Sequence, residues 1–505
     1  MRQGSHNGRI RYAARTLLGC CIGAGLLAGA QARADTTDDL IEQLKAKGIL
    51  SGGEYHKLKQ RRAAEAKDVR VKREAKGLAP APAGGPADPH FVTALDKGFG
   101  VRIGDVDVKL SGGIDFFAVE QFKGQVTGSA TTGGVVGGLV NIDTSTVNNS
   151  NSTRGGMLGS SLVLSLATNQ MGYDLGATFG FYSVGTNVNT GASPFNANSF
   201  GVAYGLGTAS IDLRQVFGTI GTPEAGTVKI GRDLAFFGGD IILYDAMLLG
   251  VGLPFRNASP GFTSGHIGSG YVYADWLPQI SYTSPSFYGF DASVGLFTPL
   301  SQAAVFTGTD SGNLSGHDQP MLQGRVRYKG DVAPSVKLTA WVSGLTEQQR
   351  SEGLAAGDAL PAGQRIRASA VDGGAKLDVG DASFVGYGYY GNGLGTSVLF
   401  FDGISPNGQT RESYGWLGQA SYTFFDKLTL GANYGISYLQ SNSYDNVQNY
   451  NAFMLRSYES YVAFARYQLT SWVMLEANFF RGIAKNQSGG AFSSNALAVG
   501  TLFSF

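Results

Sequence analysis

The sequence has only two cysteines among its 505 residues, and both lie within the first 34 residues. The rest of the chain therefore has no disulfide and no cysteine-ligated metal site. It also has no run of 18 or more apolar residues, which excludes membrane-spanning helices. We expect no cofactor and no bound metal ion.

The first 34 residues have the pattern of a removable signal peptide. Arginines precede an apolar run over residues 17–30, and residues 32–34 (ARA) provide an A-x-A cleavage site. This segment carries five arginines and no acidic residue, so its removal changes the formal charge of the chain from +1 to −4. A chain of that charge is not expected to bind nucleic acid. We predict an exported protein.

A charged zone and a linker follow the predicted signal peptide. Residues 35–78 place Leu40, Ile41 and Leu44 at helical spacing, which predicts a short N-terminal α-helical extension in the periplasm. Its narrow apolar stripe is compatible with a trimeric coiled coil or a spacer that touches the cell wall, and equally with a solvated extension. Residues 79–90 (APAPAGGPADPH) contain four prolines, so we predict a semi-rigid linker.

From Phe91 to Phe505 the sequence alternates between apolar and polar residues in many short segments. In Leu428–Tyr438, the even positions hold Leu, Leu, Ala, Tyr, Ile and Tyr, whereas the odd positions hold small or polar residues. A period of two residues is the pattern of a strand with one apolar face. Seven very short connections alternate with eight long ones, which predicts sixteen antiparallel strands, with eighteen as the alternative.

These strands predict an all-β transmembrane barrel over residues 91–505. A membrane protein without apolar helices has to be a closed barrel, because closure satisfies every backbone hydrogen bond in lipid. Short turns at one end and long loops at the other are the arrangement of bacterial outer-membrane barrels. Sixteen strands enclose a lumen too wide for side chains to fill, so an aqueous channel is expected.

The last twelve residues, Ser494–Phe505, form a short alternating strand that ends on an aromatic residue. This segment resembles the terminal strand of bacterial outer-membrane β-barrels, whose assembly machinery reads a glycine followed by alternating apolar residues and a final Phe. Gly500, Phe503 and Phe505 match that pattern, whereas Ala498 stands where a polar residue is more usual. The resemblance implies an outer-membrane protein with the barrel-assembly machinery as a partner.

A second likeness lies in the middle of the chain, where a predicted strand ends in Gly231-Arg232 before a long and partly apolar loop. Exposed, that loop would form a hydrophobic patch, whereas packing against the inner barrel wall would bury it. Its apolar spacing suits a short helix. The arrangement resembles the general porins of Gram-negative bacteria, in which a strand ending in Gly-Arg leads into a constriction loop that folds back into the lumen.

The porin resemblance implies a constriction loop over about residues 233–269, with Arg232 in a basic cluster on the wall. The loop residues that it offers as pore-lining candidates are Asp240, Tyr244 and Asp245. The resemblance also implies a homotrimer in contact with outer-membrane lipid, which passes small hydrophilic solutes and ions by passive diffusion.

Basic residues on the strands add candidates that the resemblance does not supply. In Leu322–Lys329, Arg325 and Arg327 share one face, and Leu322 and Val326 share the other. An arginine that faces lipid at mid-depth costs about 2–4 kcal/mol, so the arginine face is expected to line the lumen. The same argument adds Arg214, Arg365, Arg367 and Arg466. Opposing charges across a water-filled constriction would create a transverse field that sorts ions.

The ion preference of the channel stays open at the level of sequence. Residues 91–505 carry 23 basic and 29 acidic residues, a net charge of −6, which favours cations. The strand arginines favour anions, and the charge at the narrowest point outweighs the global sum. A nonselective channel and a substrate-selective or anion-selective channel are therefore both compatible with the sequence.

An outer-membrane enzyme is the main competing class. Nucleophilic catalysis needs a nucleophile with a positioned base. Only four histidines remain beyond the predicted signal peptide, in the extension, the linker and two predicted loops, and no G-x-S-x-G turn occurs. We therefore predict a channel and not an enzyme. An adhesive role of the long polar first loop is a further alternative, because that loop would face the outside.

Overall fold

The computed structural model describes residues 92–95, 98–128, 150–156, 158, 160–183, 211–249, 265–300, 314–353, 360–448 and 454–505. The predicted signal peptide (1–34), helical extension (35–78) and linker (79–90) lie outside the described residues.

The described residues form twenty strands and two short α-helices. The strands are β1 Val92–Ala94, β2 Phe99–Ile103, β3 Val106–Gln121, β4 Gln125–Thr127, β5 Ser150–Gly155, β6 Ser161–Gln170, β7 Tyr173–Ser183, β8 Ile211–Thr222, β9 Gly226–Leu234, β10 Trp276–Thr283, β11 Phe290–Phe297, β12 Met321–Ala333, β13 Val336–Arg350, β14 Arg365–Val379, β15 Ala382–Asn392, β16 Glu412–Phe424, β17 Leu428–Leu439, β18 Leu455–Gln468, β19 Val473–Asn486 and β20 Ala491–Ser504. The helices are α1 Gly239–Tyr244 and α2 Ser443–Val447, and a 3₁₀ turn spans Ala246–Leu249.

Sixteen strands, β3 and β6 to β20, form a closed antiparallel barrel. From β6 to β20 each strand pairs with the next one along the chain. The last strand returns to β3, with Ala496 opposite Gln121 and Phe503 opposite Ile114. On its other side β3 pairs with β5 and β6. The prediction of sixteen strands is confirmed, and the alternative of eighteen is wrong.

The short strands β1 and β2 form an antiparallel pair of their own, with Val92 opposite Ile103. Strand β4 continues the line of β3 and pairs with β20, with Val126 opposite Phe492. None of the helices among the described residues is long and apolar enough to cross a membrane.

The two kinds of connection alternate along the barrel as the sequence predicts. One end has only short turns, such as residues 171–172, 334–335 and 380–381, and the other end has the longer loops. The exception is the last loop. The sequence predicts a long connection near residues 487–493, whereas residues 487–490 alone join β19 to β20. Here β20 begins earlier than the alternation of the sequence suggested.

The outer face of the barrel is apolar and the inner face is more polar. Ile230, Val326 and Val342 are 56%, 53% and 58% exposed and alternate with inward-facing residues. Around the short turns the exposed side chains are largely aromatic, including Phe287, Tyr288, Phe425 and Trp472. An apolar band bordered by an aromatic girdle is the surface that a bilayer requires of a transmembrane barrel.

Candidate functional site

The loop between β9 and β10, residues 235–275, is buried over most of its described residues, and we call it L3. Its described parts are residues 235–249 and 265–275. They include α1 and the 3₁₀ turn, and the side chains of Ile241 and Tyr271 have no exposed surface. A short helix in this loop agrees with the sequence prediction, although L3 extends to residue 275 and not to 269.

Glycine begins the inward path of L3. Gly238 has φ of 72°, in the left-handed region that favours glycine. A Cβ at this position would lie 2.7 Å from the carbonyl oxygen of Val272, in the returning half of the loop. A side chain at Gly238 would therefore separate the two halves of L3.

The first part of L3 is hydrogen-bonded to the inner faces of β12 and β14. The Oε1 atom of Gln323 accepts the backbone N–H groups of Phe236 and Phe237, each at 3.0 Å. The Oδ2 atom of Asp372 accepts the N–H of Gly238 at 2.7 Å. These side chains satisfy backbone groups that would otherwise be buried without a partner, which is costly in a low-dielectric interior.

The middle of L3 is held by β16 and β18. Gln419 accepts the N–H of Ala246 at 2.9 Å through Oε1 and donates to the carbonyl oxygen of Tyr244 at 3.2 Å through Nε2. The guanidinium of Arg466 donates to the carbonyl oxygen of Ala246. One glutamine thus satisfies both a donor and an acceptor at the point where α1 passes into the 3₁₀ turn.

The returning half of L3 contacts β17 and β18. The N–H of Gly270 donates to Oγ of Ser437 at 3.0 Å, and the hydroxyls of Ser269 and Ser460 lie 2.9 Å apart. A Cβ at Gly435 would lie 2.1 Å from the carbonyl oxygen of Ser269. Since these partners lie on the inner faces of β12 to β18, L3 lies inside the barrel and follows its wall.

Asp245 connects the two halves of L3. Its carboxylate accepts the N–H of Met247 at 2.9 Å, the N–H of His266 at 2.8 Å and the hydroxyl of Tyr271 at 2.7 Å. The Nδ1 atom of His266 lies 3.0 Å from Oδ1. Burial acts to raise the pKa of Asp245, but His266 and the hydrogen bonds outweigh it and hold the pKa below its usual value. Asp245 stabilises the loop and does not face an opening.

The basic face predicted on β12 does point inward, and L3 packs on it. Arg325 donates to Asp240 of α1 at 3.0 Å, and Arg327 lies 3.7 Å from the same carboxylate. Arg327 also donates to Asp291 of β11 at 3.0 Å. The side chains of Arg325 and Arg327 are 14% and 13% exposed, and that of Asp240 is 2% exposed. Asp240 therefore contacts the arginines directly and does not oppose them across water.

Two other predicted arginines also lie inside the barrel, but each already contacts neighbouring protein groups. Arg466 contacts L3 as described and lies 3.4 Å from Glu476 of β19. Arg214 is fully buried in β8, donates to Asp212 at 2.9 Å and has its guanidinium 5.0 Å from the ring centroid of Tyr182. Burial and pairing make Arg214 part of the wall and not a surface that solutes contact.

The placement of Arg232 differs from that of the inward arginines of β12. Strand alternation puts Arg232 in register with Ile230, opposite Pro278, whereas Lys229 and Asp233 pair on the inner face. Arg232 is nevertheless partly buried and its charge acts on the buried Asp275 at the end of L3, so its place in a basic cluster stays a prediction.

Arg365 and Arg367 occupy the outer side of β14 near the long loops. They alternate with the buried Ile366 and contact Asp318 and Thr346 respectively. Their predicted lumen position is therefore wrong. The cost argument applies to mid-depth, whereas these side chains lie at the end of the strand, where the cost of an arginine falls to about 0–1 kcal/mol.

Tyr244 ends α1 and is buried, with its ring centroid 5.4 Å from that of Trp341 on β13. Burial, and to a lesser extent the negative charge of Asp240, raise the pKa of Tyr244 to about 12. The phenol is therefore neutral at physiological pH. Its contacts support L3 on the wall.

Sequence reasoning missed the uncharged and acidic residues that hold L3. Gln323 and Gln419 alternate with apolar residues on their strands, and Asp372 follows Val371 in the same way. A polar residue at an inward position within a barrel strand was the available signal. Which of the many such positions contact a loop depends on the path of that loop. The described residues contain no group of three or more His, Cys, Asp or Glu side chains placed to hold a metal ion.

Comparison with known proteins gives one family and a set of similar folds. The family of Gram-negative porins matches residues 96–482. The outer membrane channel DcaP of Acinetobacter baumannii is 15% identical, with a TM-score of 0.55, and the match covers 81% of this chain and 99% of that one. OmpT of Vibrio cholerae is 11% identical, with a TM-score of 0.44, and the match covers 81% and 100%. OprB of Pseudomonas putida is 12% identical, with a TM-score of 0.43, and the match covers 78% and 94%. No curated protein sequence matches significantly.

Proposed function

Since the chain belongs to the Gram-negative porins, integral outer-membrane channels through which solutes pass by passive diffusion, we propose that L3 sets the aperture of this one for small hydrophilic solutes and ions. The observation that carries the proposal is the anchoring of L3 to inner-face side chains of β12, β14, β16, β17 and β18. A loop fixed within a lumen reduces the cross-section that water and solutes can use.

We propose further that the wall beside α1 gives the channel a preference for anions. Arg325, Arg327 and Lys329 lie on the inner face of β12, and the acidic groups that pair with the two arginines are Asp240 and Asp291. This group of five has one more base than acids. Partly buried charges are screened less by salt than exposed ones, so the excess acts on ions at physiological ionic strength.

We also propose the assembly that the porin resemblance implies. The protein would be exported through cleavage of residues 1–34, inserted by the barrel-assembly machinery and assembled as a homotrimer. Residues 35–78 would then extend into the periplasm. The apolar outer face supports contact with outer-membrane lipid, because side chains such as Val342 and Val499 are more than half exposed.

The test is the single-channel conductance and the reversal potential of the purified protein in planar bilayers under a salt gradient. Stepwise openings in groups of three support an open trimeric pore, and the sign of the reversal potential gives the ion preference. A heat-modifiable barrel that gives no current would contradict the proposed diffusion pathway. A reversal potential of the cationic sign would contradict the role given to β12.

A further inference from the structure

The loop between β15 and β16, residues 393–411, is buried in the same way as L3, and we call it L6. Every residue from Gly393 to Ser405 is buried, and the side chains of Leu394 and Phe400 have no exposed surface. The sequence alone predicts one of its eight long connections near residues 396–412, and no local pattern in it indicates burial. A solvent-exposed loop does not bury thirteen consecutive residues, so L6 packs against other parts of the chain on several sides.

The ends of L6 lie against the inner face of β14. A Cβ at Gly393 would lie 3.0 Å from Cβ of Ala368, and one at Gly408 would lie 2.6 Å from Cδ1 of Ile366. Ala368 and Ile366 are buried and alternate with the outward-facing Arg367. L6 therefore leaves the wall towards the inside of the barrel and returns along the same side.

L6 also contacts L3 directly. The N–H of Tyr273 in L3 donates to the carbonyl oxygen of Ser397 at 2.9 Å, and Tyr273 forms an isolated parallel bridge with Val398. Apolar residues of both loops, including Val272 and Leu399, belong to one buried cluster with Tyr389 on the inner face of β15. The two loops thus pack as one unit on the inner side of the wall.

A buried ion pair holds L6 in this position. Arg411 donates through Nε to Asp445 at 2.8 Å and through Nη2 to the same carboxylate at 2.5 Å, and neither side chain has exposed surface. Its Nη1 atom donates to the carbonyl oxygen of Asp402 at 2.9 Å. Because Asp445 also closes the capping box of α2, Arg411 connects L6 to the loop between β17 and β18.

The backbone of L6 confirms that its conformation is imposed by these contacts. Phe400 and Asp402 have φ of 66° and 60°, a backbone conformation that residues other than glycine rarely adopt. Such residues persist where the surrounding structure over-determines them. L6 is therefore a fixed element of the barrel interior.

We propose that L6 is a second aperture-forming loop, so that the narrowest part of the solute path is bounded by L6 together with L3. This inference rests on the proposed function, in which solutes cross this lumen. A fixed loop that takes up cross-section restricts the ions and solutes that pass, whether or not it carries charge. Removing the part of L6 that leaves the wall should widen the path. L3 would lose the hydrogen bond from Tyr273 to Ser397 but keep its hydrogen bonds to Gln323, Asp372, Gln419 and Ser437.

The experiment compares full-length wild type with a variant in which residues 396–401 are replaced by two glycines. This shortening is feasible because a Cβ at Gly395 would lie 1.8 Å from the carbonyl oxygen of Phe401, so the two ends already meet. We expect the single-channel conductance to rise about twofold, with faster uptake of larger sugars by swelling proteoliposomes. The matched control, Arg350→Ala with Asp318→Ala, removes an ion pair of 2.5 Å on the outer side of β13, and we expect it to leave both readouts unchanged.

A second variant, Arg411→Ala with Asp445→Ala, covers the case in which the shortened loop fails to fold. It keeps the full sequence of L6 and removes the ion pair without leaving one buried charge alone, and we expect noisier and larger openings. If wild type conducts and a folded L6 variant matches it in conductance and uptake, the inference is wrong and the proposed function stands. If wild type gives no current and a folded L6 variant conducts, L6 closes the path. If all of them are silent, the proposed function and this inference both fail.

Discussion

The arginines of β12 and those of β14 show two positions that a charged side chain can take in a barrel. Arg325 and Arg327 face the lumen and contact L3, whereas Arg365 and Arg367 face outward near the long loops. All four lie on strands that alternate in the same manner. The difference is depth and face, and only the inner pair contributes to the potential along the solute path.

Replacing Arg325 and Arg327 together by glutamate should shift the reversal potential towards cation preference. The change puts two negative charges where two positive ones stood, beside the acidic Asp240 and Asp291. The measurement is the reversal potential in planar bilayers under a salt gradient. The matched control is Arg365→Glu with Arg367→Glu, which should leave it unchanged. An unaltered potential in the β12 variant would remove these arginines from the solute path.

At the scale of the element, L3 shows how a loop with polar backbone groups is accommodated inside a barrel. Each inward N–H and carbonyl needs a partner, and Gln323, Asp372 and Gln419 supply them from the wall. Asp245 does the same within the loop. L3 is therefore positioned by specific hydrogen bonds as well as by burial of its apolar side chains.

The Asp245→Asn variant should loosen L3, because a neutral amide replaces a buried carboxylate that accepts hydrogen bonds from both halves of the loop. The expected loss is about 3 kcal/mol of stability at neutral pH, measured as thermal unfolding in detergent, with increased open-channel noise. The exposed residue Asp331, near the short-turn end of β12, provides the control as Asp331→Asn, which should behave as wild type.

The pH dependence of the same contact follows from the pKa of Asp245, which lies below its usual value. A carboxylate with a lowered pKa in the folded state stabilises that state at all pH values above the unfolded pKa of about 4, and the contribution is lost as pH falls below it. The stability difference between wild type and Asp245→Asn should thus be present at about pH 5 and shrink as the pH falls below about 4. A difference that persists unchanged at pH 3 would contradict this account.

At the scale of the whole molecule, closure of the barrel depends on its last strand. β20 pairs with β19 and β3, and Phe505 exchanges backbone hydrogen bonds of 3.1 and 3.2 Å with Gly112. A Cβ at Gly500 would lie 2.3 Å from Cβ of Phe117, so the seam requires a glycine there. All three residues matched to the assembly pattern therefore also take part in closing the barrel, since Phe503 lies opposite Ile114.

Deletion of Phe505 should lower the yield of folded protein in the outer membrane. The loss combines the missing aromatic end with the missing backbone pair to Gly112 and the ring contact to Trp472, whose centroid is 5.8 Å away. The measurement is the amount of heat-modifiable protein in isolated membranes, and Phe505→Tyr, which keeps an aromatic end, is the control. Normal membrane yield of the deletion would contradict the terminal-signal interpretation.

The sequence by itself determined the barrel, because a two-residue period, short turns and the lack of apolar helices depend on local geometry and on the membrane as solvent. The inward face of β12 followed from the same alternation. Only the tertiary structure decided which inward residues matter. Gln323, Asp372 and Gln419 became anchors because L3 passes them, and Asp240 pairs directly with Arg325. The burial of L6 could not be predicted from the sequence either, because the path of a loop depends on contacts between residues distant in sequence. No local pattern encodes those contacts.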